Sequence, residues 1–486
     1  MVMGDARQMN PRLSSASAFL LIAVLSSLTQ TCLSAEYMVM NSDTRKGSPN
    51  KVSGFLRAFI DQRKRSAHQR GHFDILQTRD NGSKVLVEIV GEDVEALEAA
   101  LSKLEAFDLS ACEGYLCSGA MTIDSIESIA KSTPEIITIS PVLAVPRASI
   151  DGGGGSVVGG HYTASYADHL RDMRYNLTGE GITIGVLSDS FNCHNSSDVY
   201  TDDLPLSYTI VQEYDDCPSV RNKGNMKGGA SDEGRAMMQL IHDIAPNARL
   251  AFHSVAGGAP VFAQAVTSMV DIGCDVIVDN YGYYTEPFFQ DGIIAQVANQ
   301  AVLEHNIPYF SAAGNEGRMS WEGKFRGSGS YGISGEIHEF LSSDGSTSQA
   351  QRITFSEADF GKVAFIAFQW DEPFYSASGP PGSSSDVDLF IYEVDGSSLK
   401  ETRTLLNFNI GNDPIEFGSW VIEKNTYYLS FELFNGPSPS LMKWIIFGDA
   451  TPVGIEFDTK SGTIFGHPNA ASTASIGSAN YVNTPR

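Results

Sequence analysis

The chain is short of basic residues and of long apolar runs. Its 486 residues include 33 lysines and arginines against 58 aspartates and glutamates, so its formal net charge is −25. A surface this acidic repels phosphate groups, and we expect neither nucleic acid nor an anionic membrane surface as a partner. The charge excludes no fold class. An apolar content of 42% indicates a globular chain that is long enough for two or three domains.

The one prominent apolar run lies near the N-terminus and is too short to cross a bilayer. Ala18–Leu25 follows Arg7 and Arg12, and small and polar residues continue to Ala35. This order is typical of a secretory signal peptide, and a transmembrane anchor is the less favoured alternative. We therefore expect residues 1–35 to be the signal peptide of an extracellular protein that has no membrane anchor.

Cysteine is scarce, with six in the whole chain, and Cys32 would leave with the signal peptide. A zinc site built from Cys193, His194 and Cys217 has a spacing that matches no familiar ligand pattern. In an oxidising compartment we instead expect two disulfides and a buried free thiol, namely Cys193–Cys217, Cys112–Cys117 and Cys274. Three Asn-X-Ser/Thr sequons predict glycosylation in a eukaryotic secretory route, at Asn81, Asn176 and Asn195.

Residues 36–150 contain a compact part, 84–148, that predicts a small α+β unit. Apolar alternation and helical spacing predict a strand–helix–strand–helix–strand order, at 84–90, 94–107, 115–121, 123–131 and 136–145. The glycine-rich residues that follow, 151–165, predict a flexible and exposed linker. A linker between two compact units is a natural place for proteolytic cleavage.

Residues 166–318 alternate strands with helices, which predicts an α/β unit with a parallel sheet. Its strands are predicted at 181–187, 249–254, 275–279 and 308–312. In such sheets the chemistry gathers at the carboxyl ends of the strands. Asp189 follows the first of these strands, and the segment 313–317 follows the last.

The rest of the chain is organised around Gly228–Leu250, a loop that runs into a helix. Apolar residues recur there at helical spacing, and Pro246 ends the run. Ser231 or Asp232 is expected to cap this helix, and Glu233 in its first turn has two interpretations. An acidic first-turn residue is usually a capping group. The convergence of Glu233, Asp189 and 313–317 on one edge of the predicted sheet favours a chemical role.

Together these motifs resemble those of the subtilisin-like and sedolisin serine peptidases. They are Asp189 after an apolar strand, the Asp-Glu-Gly head of a helix that ends IAPNARL, the strand DVIVD, and SAAGNEG. The resemblance covers residues 166–317 and resumes near 460. It implies a secreted endopeptidase that hydrolyses peptide bonds of protein or peptide substrates without a cofactor. It also implies that residues 84–148 are an inhibitory prosegment, released at the glycine-rich linker.

The site residues are carried over by their places in these motifs. Asp189 matches the catalytic aspartate of the subtilisins, and Asn315 matches their oxyanion asparagine. Glu233 stands where subtilisins have a histidine base and resembles the sedolisin glutamate, although the sedolisin aspartate one turn later is Met237 here. The resemblance places Tyr281–Gly282–Tyr283 beside the substrate, whereas surface packing is the alternative for the two tyrosines.

The chemistry of two neighbouring carboxylates can be stated in advance. They resist double ionisation, so we expect Asp189 and Glu233 to titrate as a unit with one raised pKa. A glutamate base near its ordinary pKa of about 4.3 works best in acid. An oxyanion donor such as Asn315 contributes about 3 kcal/mol to transition-state stability. A glycan hydrolase using the same carboxylates is the alternative, but the chain shows no aromatic sugar platform.

Residues 319–460 change to short strands and turns, which predicts an inserted antiparallel β-sandwich. The stretch SSSDVDLFIYEVDG resembles the pre-peptidase C-terminal type of β-sandwich, found attached to secreted peptidases. Asp386, Asp388 and Asp395 are weak candidates for calcium ligands, because acidic turn residues are usually only solvated. The insert would hold a protein or glycan, or shield the cleft.

Residues 461–486 resemble a return to the peptidase core, but without its nucleophile. The family's serine stands in a Gly-Thr-Ser motif that opens a long helix, and no Gly-Thr-Ser occurs in this chain. Ser461 and Ser472 lack that context. We expect either a C-terminally incomplete copy of a larger peptidase, whose core would lack stabilising elements, or a secreted binding protein that uses the sandwich and the remaining cleft.

Overall fold

The structure is a computed structural model that describes most of the chain. The described residues are 50–65, 76–146, 175–193, 204–214, 217, 230–342, 344–395 and 398–479. The predicted signal peptide, the glycine-rich linker and the sequon at Asn195 lie outside them. No helix in the described ranges is long and apolar enough to cross a membrane.

The N-terminal unit, residues 50–146, is a small antiparallel sheet whose one face is covered by helices. Its strands are β1 Thr78–Arg79, β2 Lys84–Gly91, β3 Phe107–Glu113, β4 Leu116–Thr122 and β5 Ile136–Pro141. Its helices are α1 Gly54–Arg65, α2 Val94–Leu101 and α3 Ile126–Ser132. The strand order is β1–β2–β4–β3, and β5 also pairs with β2, along residues 87–91.

Two predictions for the N-terminal unit are wrong. The helix predicted over 94–107 ends at Leu101, and a further strand, β3, begins at Phe107. The apolar spacing of this stretch also fits a period of two, which becomes the better fit once β3 can pair with β4. The strand predicted over 136–145 stops at Pro141, and a separate strand, β6 Ala144–Pro146, leaves the sheet.

The α/β unit contains six strands, and every neighbouring pair is parallel. They are β7 Thr183–Ser188, β8 Thr209–Gln212, β9 Arg249–Ser254, β10 Val276–Asp279, β12 Tyr309–Ala312 and β26 Ala474–Ile476. The spatial order is β26–β12–β10–β7–β9–β8. This finding confirms the predicted α/β class and the parallel sheet.

Helices pack on both faces of this sheet. They are α4 Glu233–Ile244, α5 Ala259–Asp271 and α6 Ile293–Leu303. Met238 of α4 packs against Val186 and Phe252 on one face. On the other face, α5 and α6 pack against Leu187 and Ile277. A short strand between these elements, β11 Tyr281–Tyr283, does not join the parallel sheet.

Between β12 and β26 the chain forms an insert of two antiparallel sheets. The first contains β13 Ser320–Gly323, β19 Val363–Trp370, β22 Ile415–Val421 and β24 Met442–Gly448. The second contains β14 Gly327–Tyr331, β15 Glu336–His338, β18 Gln351–Phe355, β20 Asp386–Asp395, β21 Ser398–Leu405, β23 Thr426–Asn435 and β25 Pro452–Ile455. A small hairpin, β16 Phe340–Leu341 with β17 Thr347–Ser348, and a short helix, α7 Tyr375–Ser378, complete the insert. The two larger sheets share one core, where Phe368 stacks on Phe431 at 4.4 Å between ring centroids.

The N-terminal unit packs against both of the other units. Leu86 and Ala120 on one face of its sheet belong to the same apolar cluster as α5 and α6. The helix-covered side belongs to a second apolar cluster that also contains Phe365 and Phe447 of the insert. There Phe55 of α1 lies 5.3 Å from Phe417 between ring centroids. Tyr284, next to β11, lies 4.4 Å from Phe447 between ring centroids and joins this second cluster.

The cysteines pair as predicted. Cys112–Cys117 joins β3 to β4, and Cys193–Cys217 joins the segment after β7 to the segment after β8. The second bond uses both sulfurs that the alternative zinc site would need. Cys274, just before β10, is a buried free thiol, and burial raises its pKa to about 11. Asn176 is exposed, and its glycosylation stays a prediction.

Candidate active site

The predicted catalytic residues lie at the carboxyl edge of the parallel sheet. Asp189 directly follows β7, and Asn315 lies in the exposed turn after β12. Glu233 is the first residue of α4, and its side chain is buried. Because β7, β10 and β12 run parallel, Asp189 and Asn315 share one edge of the sheet, and Glu233 joins them there by a main-chain hydrogen bond to Asp189.

The Asp189 carboxylate is buried and is surrounded by donors. Its Oδ2 accepts from the main-chain N–H of Ser231 and, at 2.5 Å, from the Ser231 hydroxyl. Its Oδ1 accepts from the main-chain N–H groups of Ser190 at 2.6 Å and Glu233 at 3.2 Å. Burial raises the pKa of Asp189, and the hydrogen bonds from Ser231 and Ser190 oppose that rise. The donors therefore favour the ionised carboxylate.

The predicted capping of α4 by Ser231 or Asp232 is wrong. Asp232 precedes the helix with a positive φ of 59° and makes no side-chain cap. Its Oδ1 instead accepts from the Ser190 hydroxyl at 3.0 Å and from the Cys193 main-chain N–H at 2.7 Å. Both polar side chains ahead of α4 thus bond back to the segment after β7, where they meet a carboxylate and loop donors that local sequence does not reveal.

A main-chain hydrogen bond joins Glu233 to the Asp189 carboxylate. The hydrogen bond between Asp189 and Glu233 uses the Glu233 N–H, and Asp232 is the neighbouring carboxylate that raises the pKa of Asp189. Titration of Asp189 and Glu233 as a unit stays a prediction. Sequence reasoning missed the hydrogen bonds from Ser231 to Asp189, although a Ser-Asp pair occurs in both Ser188-Asp189-Ser190 and Ser231-Asp232-Glu233.

The predicted substrate-binding strand is paired with the chain's own N-terminal unit. β6 runs antiparallel to β11, with Tyr281 opposite Pro146 and Tyr283 opposite Ala144. The tyrosine side chains are buried, so surface packing is the wrong interpretation. The Tyr281 hydroxyl accepts from Gln77 Nε2 at 3.1 Å, and the Tyr283 hydroxyl donates to the Val255 carbonyl at 2.6 Å. The side chains anchor β11, and its main chain binds an extended segment.

The chain matches no family model and no curated protein sequence. Among solved structures it is similar to the Clostridium perfringens CspB protease, with 13% identity over 67% of this chain and 73% of that chain, at a TM-score of 0.35. The epidermin leader peptide processing serine protease of Staphylococcus aureus has 12% identity over 48% and 61% of the two chains, at 0.28. Fervidolysin from Fervidobacterium pennivorans, a keratinolytic enzyme related to subtilisin, has 13% identity over 48% and 40%, at 0.26. These scores are too low to transfer an activity to this chain.

A buried charge cluster of His467, Glu286 and Asp279 contacts β11, and sequence reasoning missed it. His467 Nδ1 is 2.8 Å from Glu286 Oε2, and its Nε2 is 3.2 Å from Asp279 Oδ1. Burial alone lowers the pKa of His467, but Glu286 and Asp279 raise it to about 9. Glu286 Oε1 also accepts from the Tyr283 N–H at 3.1 Å. The cluster thus fastens β11 to the segment that precedes β26.

The insert brings three acidic side chains together. Asp386, Asp388 and Glu416 are fully buried, and one carboxylate oxygen of each lies within 4.8 Å of the others. Oxygen ligands of this kind fit a hard cation such as Ca²⁺. The side chain of Asp395 lies outside the described residues. Glu416 is distant in sequence and was not predicted; calcium binding itself stays a prediction.

Proposed function

We propose that this chain derives from secreted serine endopeptidases of the subtilisin and sedolisin kind and binds peptides for hydrolysis. The observation that carries the proposal is the pairing of β6 with β11. Addition of an extended segment to a strand edge is a common mode of peptide recognition, because main-chain hydrogen bonds supply affinity for any sequence. This edge adjoins the carboxyl ends of β7 and β10, where Asp189 and Glu233 lie.

Each residue has a role in the proposed reaction. Glu233 takes the proton of a serine hydroxyl as the serine oxygen attacks the peptide carbonyl carbon, and it returns the proton to the leaving amine. Asp189 orients the head of α4 by accepting a hydrogen bond from the Glu233 N–H. Asn315 donates to the oxyanion. The serine itself is not assigned, since no Gly-Thr-Ser occurs in residues 1–486.

The N-terminal unit is proposed as the inhibitor of the same site. While β6 occupies β11, no substrate strand can take that register. Contacts of the sheet with α5 and α6, and of the helix-covered side with the insert, keep the unit docked. Cleavage in the glycine-rich linker, residues 151–165, is proposed to separate the unit from the site.

Turnover of fluorogenic peptides by the purified chain tests the proposed chemistry. We expect Glu233→Gln to lower kcat/KM by 10²–10⁴-fold, the usual contribution of a general base. Glu180→Gln is the matched control, because Glu180 is an exposed glutamate outside the site. Measurable turnover that is equal in wild type and Glu233→Gln would remove Glu233 from the mechanism, whereas no turnover by the wild type would contradict the peptidase proposal for this chain.

The pairing of β6 with β11 also fits a second candidate, a secreted protein that binds peptides without cleaving them. The same chain, incubated with a labelled peptide and analysed by mass spectrometry, separates the two candidates. Cleaved products that depend on Glu233 support the peptidase. Saturable binding with an intact peptide supports the binding protein.

A further inference from the structure

Asn280 carries a buried side-chain amide. It links β10 to β11 and is only 4% exposed. Neither its Oδ1 nor its Nδ2 has a hydrogen-bond partner among the residues that the structure describes. An amide that is desolvated and left unbonded destabilises the fold, and such groups are rare in native proteins. Its presence needs an explanation other than local packing.

The register of the sheet locates Asn280 beside the candidate catalytic residues. Asp279 pairs with Leu187 of β7 on one side and with Ser311 of β12 on the other. Asn280 is the next residue, and it therefore lies level with Ser188, the residue before Asp189. It occupies the carboxyl edge between β7 and β12.

Alternation along β10 gives the direction of the amide. The Asp279 side chain bonds to His467, whose ring packs on Phe262 of α5. Val278 packs with the cluster of α4 on the opposite face. Because successive side chains leave a strand on opposite faces, that of Asn280 leaves on the face of α4, the helix that Glu233 opens.

The β6–β11 register shows where a bound peptide would pass. Pro146 lies opposite Tyr281, so the next residue of a peptide in this register lies opposite Asn280. A peptide group offers one N–H and one carbonyl, and a carboxamide can satisfy both. We propose that the Asn280 side chain binds a main-chain peptide group of the substrate. This inference rests on the proposed peptide binding and deepens it by adding a contact residue.

Asn280→Leu separates this role from a structural one. Leucine has the same number and branching of side-chain heavy atoms and removes the unbonded polar atoms, so we expect a higher Tm. The same change should weaken peptide binding about tenfold, because the peptide loses a hydrogen-bonding partner. A gain in stability with a loss of binding is typical of a residue kept for function.

The test uses the full chain carrying Val145→Pro, which disrupts β6 and opens β11 to an added peptide. The probe is a fluorescein-labelled peptide with the sequence of residues 141–150, measured by anisotropy with and without Asn280→Leu. Asn409→Leu is the matched control: Asn409 is equally buried in the insert, but its Nδ2 donates to the Asp413 and Ile415 carbonyls at 2.8 and 3.0 Å. That control should lower Tm and leave peptide affinity unchanged.

Each outcome has one meaning. Weaker binding with a raised Tm supports the contact. Unchanged binding by Asn280→Leu overturns the inference and leaves the proposed function standing, and weaker binding with a lowered Tm overturns it as a packing defect. If the Val145→Pro chain binds no peptide at all, the proposed function fails and the inference fails with it.

Discussion

At the scale of single residues, Ser231 determines how the Asp189 carboxylate is held. It provides two donors to one oxygen, and its hydroxyl is the largest of the influences that oppose the effect of burial on the pKa of Asp189. A carboxylate that loses a donor of this kind binds its proton more tightly. Ser231 is therefore a positioning residue that acts through Asp189.

We predict that Ser231→Ala raises the pKa of Asp189 further and moves the acid limb of any peptide turnover to higher pH. Carbon-13 NMR of labelled aspartate carboxyl groups measures the pKa without requiring activity, with Asp189→Asn used to assign the signal. Ser231→Thr keeps the hydroxyl and should restore the wild-type titration. An identical Asp189 titration in the alanine variant would contradict this role.

At the scale of elements, the charge of His467 links three segments. It pairs with Asp279 of β10 and with Glu286 after β11, and His467 itself lies in the segment before β26. The folded pKa of about 9 exceeds the ordinary value of 6.5, so the folded chain favours the protonated ring. This stabilisation is complete below about pH 6.5 and is lost as pH rises through about 9. We predict that the wild-type free energy of unfolding falls over this window by up to about 3 kcal/mol.

Urea unfolding at pH 6 and pH 9.5 measures that loss. His467→Gln should be less stable at pH 6 by about 3–5 kcal/mol, because Glu286 and Asp279 remain buried without their cation. Its stability should then depend less on pH than that of the wild type. If both chains show the same slope, another group carries the dependence.

The acidic cluster between β20 and β22 gives a prediction about metal. Three buried carboxylates within 4.8 Å repel one another unless protons or a cation neutralise them. We predict that calcium at 100 times its Kd stabilises the chain by about 2.7 kcal/mol, seen as a higher Tm than in EDTA. Asp388→Asn should abolish the difference, whereas the exposed Asp458→Asn should not. Equal Tm values in calcium and EDTA would exclude a calcium site.

Sequence patterns predicted the helices and strands better than they predicted the contacts between them. The parallel sheet and the place of Glu233 at the head of α4 followed from strand alternation and helical spacing, which are local. The departure of β6 from the N-terminal sheet was not predictable, because its apolar run looks like a continuation of β5. His467 and Glu416 were missed for the same reason: each meets its acidic neighbours only after distant segments have packed.

At the scale of the whole molecule, the three units meet around a cavity of about 80 Å³. Glu88 of β2, Glu286 and Asp413 all line it. Glu88 Oε1 accepts from the N–H of Ala259 at 2.6 Å, so the N-terminal sheet supplies an acceptor to the first residue of α5. Burial raises the pKa of Glu88 to about 7, and Asp413 and Glu286 add to the rise, although the Ala259 hydrogen bond opposes it.

Because the pKa of Glu88 is raised in the docked state, docking of the N-terminal unit is favoured when Glu88 is protonated. Docked Glu88 holds its proton more tightly than an exposed glutamate with its pKa near 4.5. The proton-linked part of docking is therefore complete below about pH 4.5 and is lost as pH rises through about 7. We predict at least tenfold more frequent opening of β6 from β11 at pH 8 than at pH 5.

Hydrogen exchange at the Gly282 amide, corrected for the intrinsic rate at each pH, measures that opening. Glu88→Gln stays neutral and should open equally at both pH values, whereas the exposed Glu95→Gln should behave as the wild type does. Faster opening of β6 from β11 at pH 5 than at pH 8 would contradict this prediction. Under the proposed function, acid keeps the inhibitory unit docked, and neutral pH releases it.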